Sequence, residues 1–362
     1  MLGAGMIASS RWGILPGMAA VDSRARIVAI CAPSRTHSQI VADDFGIPAV
    51  YTSLDEMLDR ERLDAVVNIT PIGAHFEGSR RILGSGAHLI TEKPLASTVE
   101  QADELIEMAR SRGLLIVCSP PRMIEPQRVR ARELVAEGAI GTVAFARVRS
   151  SHAGPAWQAW PADPSWFYGA DAGPLLDMGA YGIDEITGIL GSAHRVSAVS
   201  GRLTAERIVH GGPLDGAVVP VLSDDNTLLT LDFGNGSFAT VDASFSVRAA
   251  RSPEIEIFGL DGTIALTNLR LEPDSIPVEL YRVAGDGVGG AWEDARGAGF
   301  DEKQLRTPAL GRASLVQHLV ECLDLGETPV LSAEHARHTL EIMLAAQESA
   351  RTGRTVDLTT RI

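Results

Sequence analysis

The chain predicts an α/β fold in two parts, a parallel sheet wound on both faces followed by a largely antiparallel one. Three observations carry this. Short apolar runs alternate with amphipathic stretches to about residue 118, longer alternating runs take over from Thr142, and 362 residues exceed what one hydrophobic core usually supports. We place the boundary at residue 120, giving domains 1–120 and 121–362.

In chain order, Gly3-Ala4-Gly5-Met6-Ile7-Ala8 has the form GxGxxA, in which small residues let backbone and a helix N-terminus approach a pyrophosphate. Gly3, Gly5, Met6 and Ile7 are therefore candidate coenzyme contacts. Only Met1 and Leu2 precede them, where a central strand of about five or six residues belongs. Unpaired neighbours would cost roughly 1–3 kcal/mol per buried group. The expectation is a coding start further upstream, the alternative a genuine truncation with impaired coenzyme binding.

Ile27 to Cys31 supplies the next strand at the spacing of a first βαβ unit. Gly46 followed by Pro48 predicts a helix stop, and Ser53 with Glu56 a capping box before another helix. Ala65 to Ile69, His88 to Thr91 and Leu114 to Cys118 read as strands, with a second capping box at Ser97 and Glu100. Beyond the boundary, Thr142 to Ser150, Leu228 to Phe233, Phe238 to Val247 and Glu254 to Phe258 alternate as antiparallel strands do. Asn235-Gly236 predicts a hairpin turn, because both residues tolerate positive φ. The Gly-rich stretch Ala284 to Gly299 reads as a mobile loop, and Ala313 to Asp324 and Ala333 to Arg351 as helices.

Composition excludes several classes. With 45% apolar and 22% charged residues and a mean hydropathy of +0.08, the chain reads as globular. It has no apolar run of about eighteen residues and no basic-then-apolar leader, so we expect neither a membrane span nor a signal peptide and place the protein in the cytoplasm. A net charge of −14 and a pI near 5.1 argue against nucleic acid, whose phosphates need a basic face. Cys31, Cys118 and Cys322 are few and far apart, which fits a reduced compartment. His335 and His338 lack further ligands nearby in sequence, so no metal is expected.

The chemistry concentrates in two short segments. Thirty of the 32 basic residues are arginine, yet a lysine stands in Glu92-Lys93-Pro94, just after a strand. An amine can change its charge state where a guanidinium cannot. In Asp177-Met178-Gly179-Ala180-Tyr181 a carboxylate and a phenol lie four residues apart, on one face of a predicted helix. Lysine, aspartate and tyrosine together can move a proton on an alcohol, which makes Lys93, Asp177 and Tyr181 the candidate catalytic set. At the end of the second strand the chain reads Cys31-Ala32-Pro33-Ser34-Arg35-Thr36. No carboxylate stands there to bond the ribose of NAD, whereas Ser34 and Arg35 suit the 2′-phosphate of NADP. The coenzyme is expected to be NAD(P), with a slight lean to NADP.

These motifs, with Thr70-Pro71, His75 and the continuation Gly182-Ile183-Asp184, resemble the glucose-fructose oxidoreductase / inositol dehydrogenase / rhizopine catabolism (Gfo/Idh/MocA) family over nearly the whole chain. The resemblance implies an N-terminal Rossmann domain, a C-terminal α/β domain with an open, mostly antiparallel sheet, and a nicotinamide coenzyme. It also implies sugar, inositol or polyol substrates and homo-oligomers, dimers or tetramers, built partly through that sheet. Thr70, Pro71, His75, Glu92 and Lys93 then border the coenzyme, His75 by shaping its pocket, and the bond before Pro94 is expected to be cis. Many members carry histidine where Tyr181 stands. The short first strand and the missing acid depart from the family pattern and bear on coenzyme affinity and NAD use.

A phenol titrates near 10, about three units above neutrality, and one neighbouring cation supplies roughly one to three units. A proton shared between Tyr181 and the substrate hydroxyl, tuned or relayed by Lys93, is therefore expected over a free phenolate, with Asp177 orienting Lys93 or substrate. Trp157, Trp160, Trp166, Phe167 and Tyr168 crowd one segment in a chain with 5% aromatics. Their rings suit pyranose faces, and equally a loop packed on its own domain or on a partner subunit. Trp157 and Trp166, with Arg122 and His152, join Lys93, Asp177 and Tyr181 as candidate substrate contacts. The alternatives are a glycosidase that oxidises its substrate transiently with tightly bound NAD, and a coenzyme-sensing regulator without catalysis.

Overall fold

The computed structural model describes residues 1–267, 275–285, 287, 289–297, 300 and 310–362. It divides into two compact units, Met1–Ile124 with Thr307–Leu340 and Glu125–Arg306 with Glu341–Ile362. The boundary thus falls a few residues beyond the predicted one, and a C-terminal segment returns to the first unit. Amphipathic periodicity shows that a helix has a partner without showing which, so the return was not readable.

In the first unit, two parallel pieces of sheet, Ala29–Cys31 with Ala49–Tyr51 and Ala65–Asn68 with His88–Thr91 and Ile116–Cys118, are joined by the first residues of the chain. Leu2 pairs in parallel with both Cys31 and Asn68. Its N–H donates to Val67 O at 2.8 Å, Ile69 N–H donates to Leu2 O at 2.9 Å, and Gly3 N–H donates to Cys31 O at 2.8 Å. The backbone groups expected to lack partners here find them in Met1–Gly3, and the spatial order is that of a doubly wound sheet.

The helices begin and end for local reasons. The Ser34 hydroxyl accepts His37 N–H, and Gly46 at φ 66° closes Arg35–Phe45 in the left-handed conformation. Ser53 accepts Glu56 N–H as expected. At the next helix, Val99–Arg112, the cap lies one residue later than the sequence reading: Thr98 accepts Gln101 N–H, and the Gln101 side chain accepts Ser97 N–H.

In the second unit, a nine-stranded sheet runs in the order Gly290–Asp294, Val278–Val283, Gly262–Leu266, Ile255–Gly259, Val143–Arg149, Phe238–Ser244, Asn226–Asp232, Arg195–Gly201 and Val356–Asp357. Every pairing is antiparallel except Val143–Arg149 with Phe238–Ser244. Asn235-Gly236 lies in the hairpin that joins Asn226–Asp232 to Phe238–Ser244, with Gly236 at φ 89°. The predicted loop at 284–299 is corrected at Gly290–Asp294, which pairs with Val278–Val283 as a fully exposed edge strand without apolar alternation, while residues 286, 288, 298 and 299 lie outside the described residues.

The helix Ala180–Leu190 lies tight on this sheet. A Cβ on Gly182 would stand 2.2 Å from Ser150 Oγ and 2.7 Å from Val148 Cγ1. The fully buried Arg128, on the helix Pro126–Ala136, binds that helix through Glu185 at 3.0 Å and also pairs with Glu254 and Glu125. The opposite face of the sheet presents Phe238, Phe145, Phe258, Tyr281 and Trp292 along one register row, with Phe145 stacked on Phe258 at 4.6 Å.

Candidate active site

The two glycines of GxGxxA do different work. Gly3 has φ 112°, and a Cβ there would meet Ile69 Cγ1 at 2.7 Å, so the turn out of the sheet requires glycine. Gly5 has φ −76°, and a Cβ there would meet nothing within 4 Å. It is exposed beside the half-buried Met6 and Ile7, leaving its backbone open to a ligand from outside. Such a cradle fits a pyrophosphate. On the following helix, His37 Nε2 lies 2.8 Å from Ala4 O and ties that helix to the loop. Ser34 and Arg35 are exposed, with Arg35 Nη1 donating to Val50 O at 3.3 Å.

Asn68, which sequence reading missed, organises the next stretch. Fully buried, it donates through Nδ2 to His75 O and Ser79 Oγ at 3.0 Å each, and accepts Thr70 N–H at 3.2 Å and Thr70 O–H at 2.8 Å. Its one signal was a polar residue closing an apolar strand. Pro71 precedes the helix Ile72–Gly84. His75, 1% exposed, places Nδ1 2.8 Å from Pro94 O and Nε2 2.7 Å from Thr70 O, tying the Thr70-Pro71 turn to the Glu-Lys-Pro turn. Both ring nitrogens face backbone, so His75 shapes this region without presenting a nitrogen to a ligand.

The Lys93-Pro94 bond is cis, as expected. Lys93 is half-buried, and its N–H donates to Glu92 Oε2 at 3.3 Å, while Glu92 Oε1 accepts from Arg312 Nη1. Glu92, expected at the coenzyme, thus has both carboxylate oxygens bonded within the protein. Arg122 is buried in the turn Pro121–Ile124.

In the second unit the Asp177 segment is wound differently from the expected α-helix. Leu175–Gly179 forms a π-helical turn that runs into Ala180–Leu190, and Asp177 and Tyr181 are both half-buried. Single π turns within helices recur at functional sites, and four-residue spacing alone does not reveal one. Gly179, whose Cβ would stand 3.2 Å from Ala243 Cβ, lets this turn approach the sheet.

His152 feels the Asp177 charge. Burial lowers its pKa below the usual imidazole range, and the Asp177 carboxylate partly opposes the shift. Its Nδ1 accepts Gly154 N–H at 2.9 Å and lies 2.8 Å from Gln158 Nε2, so the ring proton of the neutral form sits on Nε2.

The aromatic segment divides. Phe167 and Tyr168 are buried with Ala156, Val209, Val219, Val221 and Phe245, and Trp160 packs against them. Trp157 stacks on His210 at 3.6 Å and carries the Arg248 guanidinium 3.8 Å from its ring centroid. Both groups lie against the ring, which still keeps 36% of its surface exposed. Trp166 lies 3.9 Å from Phe167 and keeps 54% of its surface exposed.

Residues 1–119 match the family model described as "Oxidoreductase family, NAD-binding Rossmann fold", and residues 129–265 match the GFO/IDH/MocA C-terminal domain. The chain belongs to the GFO/IDH/MocA family. Among GFO/IDH/MocA relatives, it is 25% identical to the NAD-dependent scyllo-inositol 2-dehydrogenase of Bacillus subtilis over 92% of this chain and 89% of that one. It is 24% identical to the NADP-dependent scyllo-inositol 2-dehydrogenase of the same organism, over 90% and 87%. The crystal structure of an NAD-binding oxidoreductase from Klebsiella pneumoniae shares the fold at a TM-score of 0.80 and 20% identity, covering 99% of this chain and 98% of that one.

Proposed function

We propose that this protein transfers a hydride between NAD(P) and a secondary alcohol or ketone of a sugar, inositol or related polyol. The carrying observation is Lys93, held on a cis turn that the adjacent Glu92 and, from separate elements, His75 and Arg312 fasten. Gly3 and Gly5 would hold the pyrophosphate, with Met6, Ile7, Thr70 and Pro71 around the rest of the coenzyme. The bound nicotinamide supplies the hydride acceptor in the oxidative direction. Tyr181 takes a hydrogen bond from the substrate hydroxyl and shares its proton, Lys93 relays that proton, and Asp177 orients the ammonium or a neighbouring hydroxyl. His152 offers its Nε2–H to a substrate oxygen, Arg122 binds another hydroxyl, and exposed Trp166 offers an apolar ring to the sugar. The 25% and 24% identities to scyllo-inositol dehydrogenases support the polyol class.

Exposed Ser34 and Arg35, with no carboxylate between Cys31 and Thr36, support a lean to NADP. The aromatic row, in which Phe145, Phe238 and Trp292 are exposed, supports a homo-oligomer, because an apolar patch of this kind marks an association surface. Three free, buried cysteines support a cytoplasmic setting. Among the described residues, no helix is long and apolar enough to cross a membrane.

The test is a polyol and sugar panel assayed with both coenzymes, followed by Lys93→Met on the best substrate. The variant is expected to bind coenzyme within a few-fold of wild type and to turn over at least about a hundredfold more slowly, the lower end of what one proton-transfer group contributes. Wild-type turnover by Lys93→Met would remove the mechanism.

A further inference from the structure

Gly17, in the turn Leu15–Ala20, admits a second turn at very short range. A Cβ on it would stand 2.1 Å from Leu310 O and 2.9 Å from Ala313 Cβ, so a larger residue would push the turn Gly311–Ala313 away. That turn carries Arg312. Its Nη1 bonds Glu92 Oε1 and lies 3.3 Å from Ser119 Oγ, with the two ion-pair side chains only 19% and 9% exposed. The other Glu92 oxygen takes the Lys93 N–H, so the guanidinium reaches the lysine's own turn through one carboxylate.

Without that guanidinium, a poorly solvated carboxylate would be the immediate chain neighbour of the Lys93 ammonium. An adjacent negative charge favours the protonated amine, which suits a fixed cation and hinders a group that must release a proton. Arginine stays charged at every working pH, so it neutralises Glu92 throughout the lysine's titration. Among the described residues of this unit, Cys118, whose Sγ lies 4.0 Å from Glu92 O, and His75, whose Nδ1 faces Pro94 O, are further ionisable groups at the turn.

We propose that Arg312 is a positioning residue for Lys93, neutralising Glu92 so that the lysine amine can give up its proton. The inference rests on the reading of Lys93 as a proton-transfer group. It adds a residue from more than two hundred positions downstream, which acts on the lysine through Glu92.

The chain's composition supplies the assay. It contains two lysines, Lys93 and Lys303, separated by many arginines, so cleavage at arginine puts each on its own peptide. Competitive acetylation with acetic anhydride from pH 6 to pH 11, read by mass spectrometry, gives the Lys93 titration midpoint directly, with Lys303 as the internal reference. In Arg312→Gln the midpoint is expected to rise by about one unit, the low end of the effect of one neighbouring charge. Glu92→Gln should lower it, Glu92→Gln/Arg312→Gln should return it to the wild-type value, and Arg312→Lys should keep it there.

An unmoved midpoint in Arg312→Gln, or a double variant that retains the single variant's shift, overturns the proposal. Should thermal melting show Arg312→Gln unfolded, Glu92→Gln decides alone: a midpoint that does not fall refutes the role. The labelling uses no substrate. Its failure would leave the dehydrogenase reading standing, and an inactive substrate panel would leave the labelling result standing.

Discussion

Replacing Gly5 with alanine separates the two reasons a glycine can occupy a nucleotide loop. In the free protein the substitution meets no obstacle, because φ −76° and ψ −163° are open to any residue and the new methyl would have no neighbour within 4 Å. Restricting the unfolded chain should even stabilise the free protein by about 0.4–1 kcal/mol. With coenzyme the balance reverses, because the methyl occupies the space through which the pyrophosphate reaches the backbone. Loss of one hydrogen bond to a charged group costs about 1.5–3 kcal/mol, a roughly ten- to hundredfold weaker Kd. Calorimetric titration with NAD and with NADP, beside thermal melts of the free protein, reads both effects. Gly3→Ala is the contrasting control, since φ 112° and Ile69 Cγ1 at 2.7 Å should lower the melting temperature without any ligand. The reasoning is refuted if Gly5→Ala binds coenzyme within about twofold of wild type, a difference of under 0.5 kcal/mol, or if its free form melts below the parent.

Two further outcomes follow from buried charge. Arg128→Met should destabilise the second unit by about 3–5 kcal/mol, because Glu185 and Glu254 keep their burial and lose their guanidinium; a melting temperature lowered by roughly 6–20 °C is the expected reading. His88, His152 and His318 all have pKa values that burial holds below 6.5. Between those folded values and 6.5 the unfolded chain binds more protons, so stability is complete above about pH 6.5 and falls as pH drops through the window. Melting temperatures from pH 7.5 to pH 5 should show this decline, and His152→Gln should make it shallower; an unchanged slope in the variant counts against the assignment.

Legibility followed the range of the interaction. Caps and turns such as Ser53, Gly46 and Asn235-Gly236 were readable because a few adjacent residues settle them. The Glu-Lys-Pro turn and the glycine loop were readable for the same reason. The strand Arg195–Gly201 went unread, as its hydrogen-bond partners Asn226–Asp232 and Val356–Asp357 lie elsewhere in the chain, and Gly262–Leu266 went unread although it forms a hairpin with Ile255–Gly259. Ser97 was taken as a cap one residue early, because adjacent serine and threonine present equivalent hydroxyls and only backbone geometry chooses between them.

Local residues alone established that a parallel nucleotide-binding unit precedes a largely antiparallel one, and they placed one of the chain's two lysines at a strand end. Periodicity and local chemistry are written in neighbouring residues, so they survive without coordinates. Folding, not local sequence, set that Asn68 and His75 pin the lysine's surroundings and that Arg312 reaches Glu92 from 220 residues away. It also decided that Asp177 lies in a π turn and that His210 and Arg248 lie against Trp157. Those facts depend on which distant elements meet, and folding sets that through burial and pairing that no local window of residues contains.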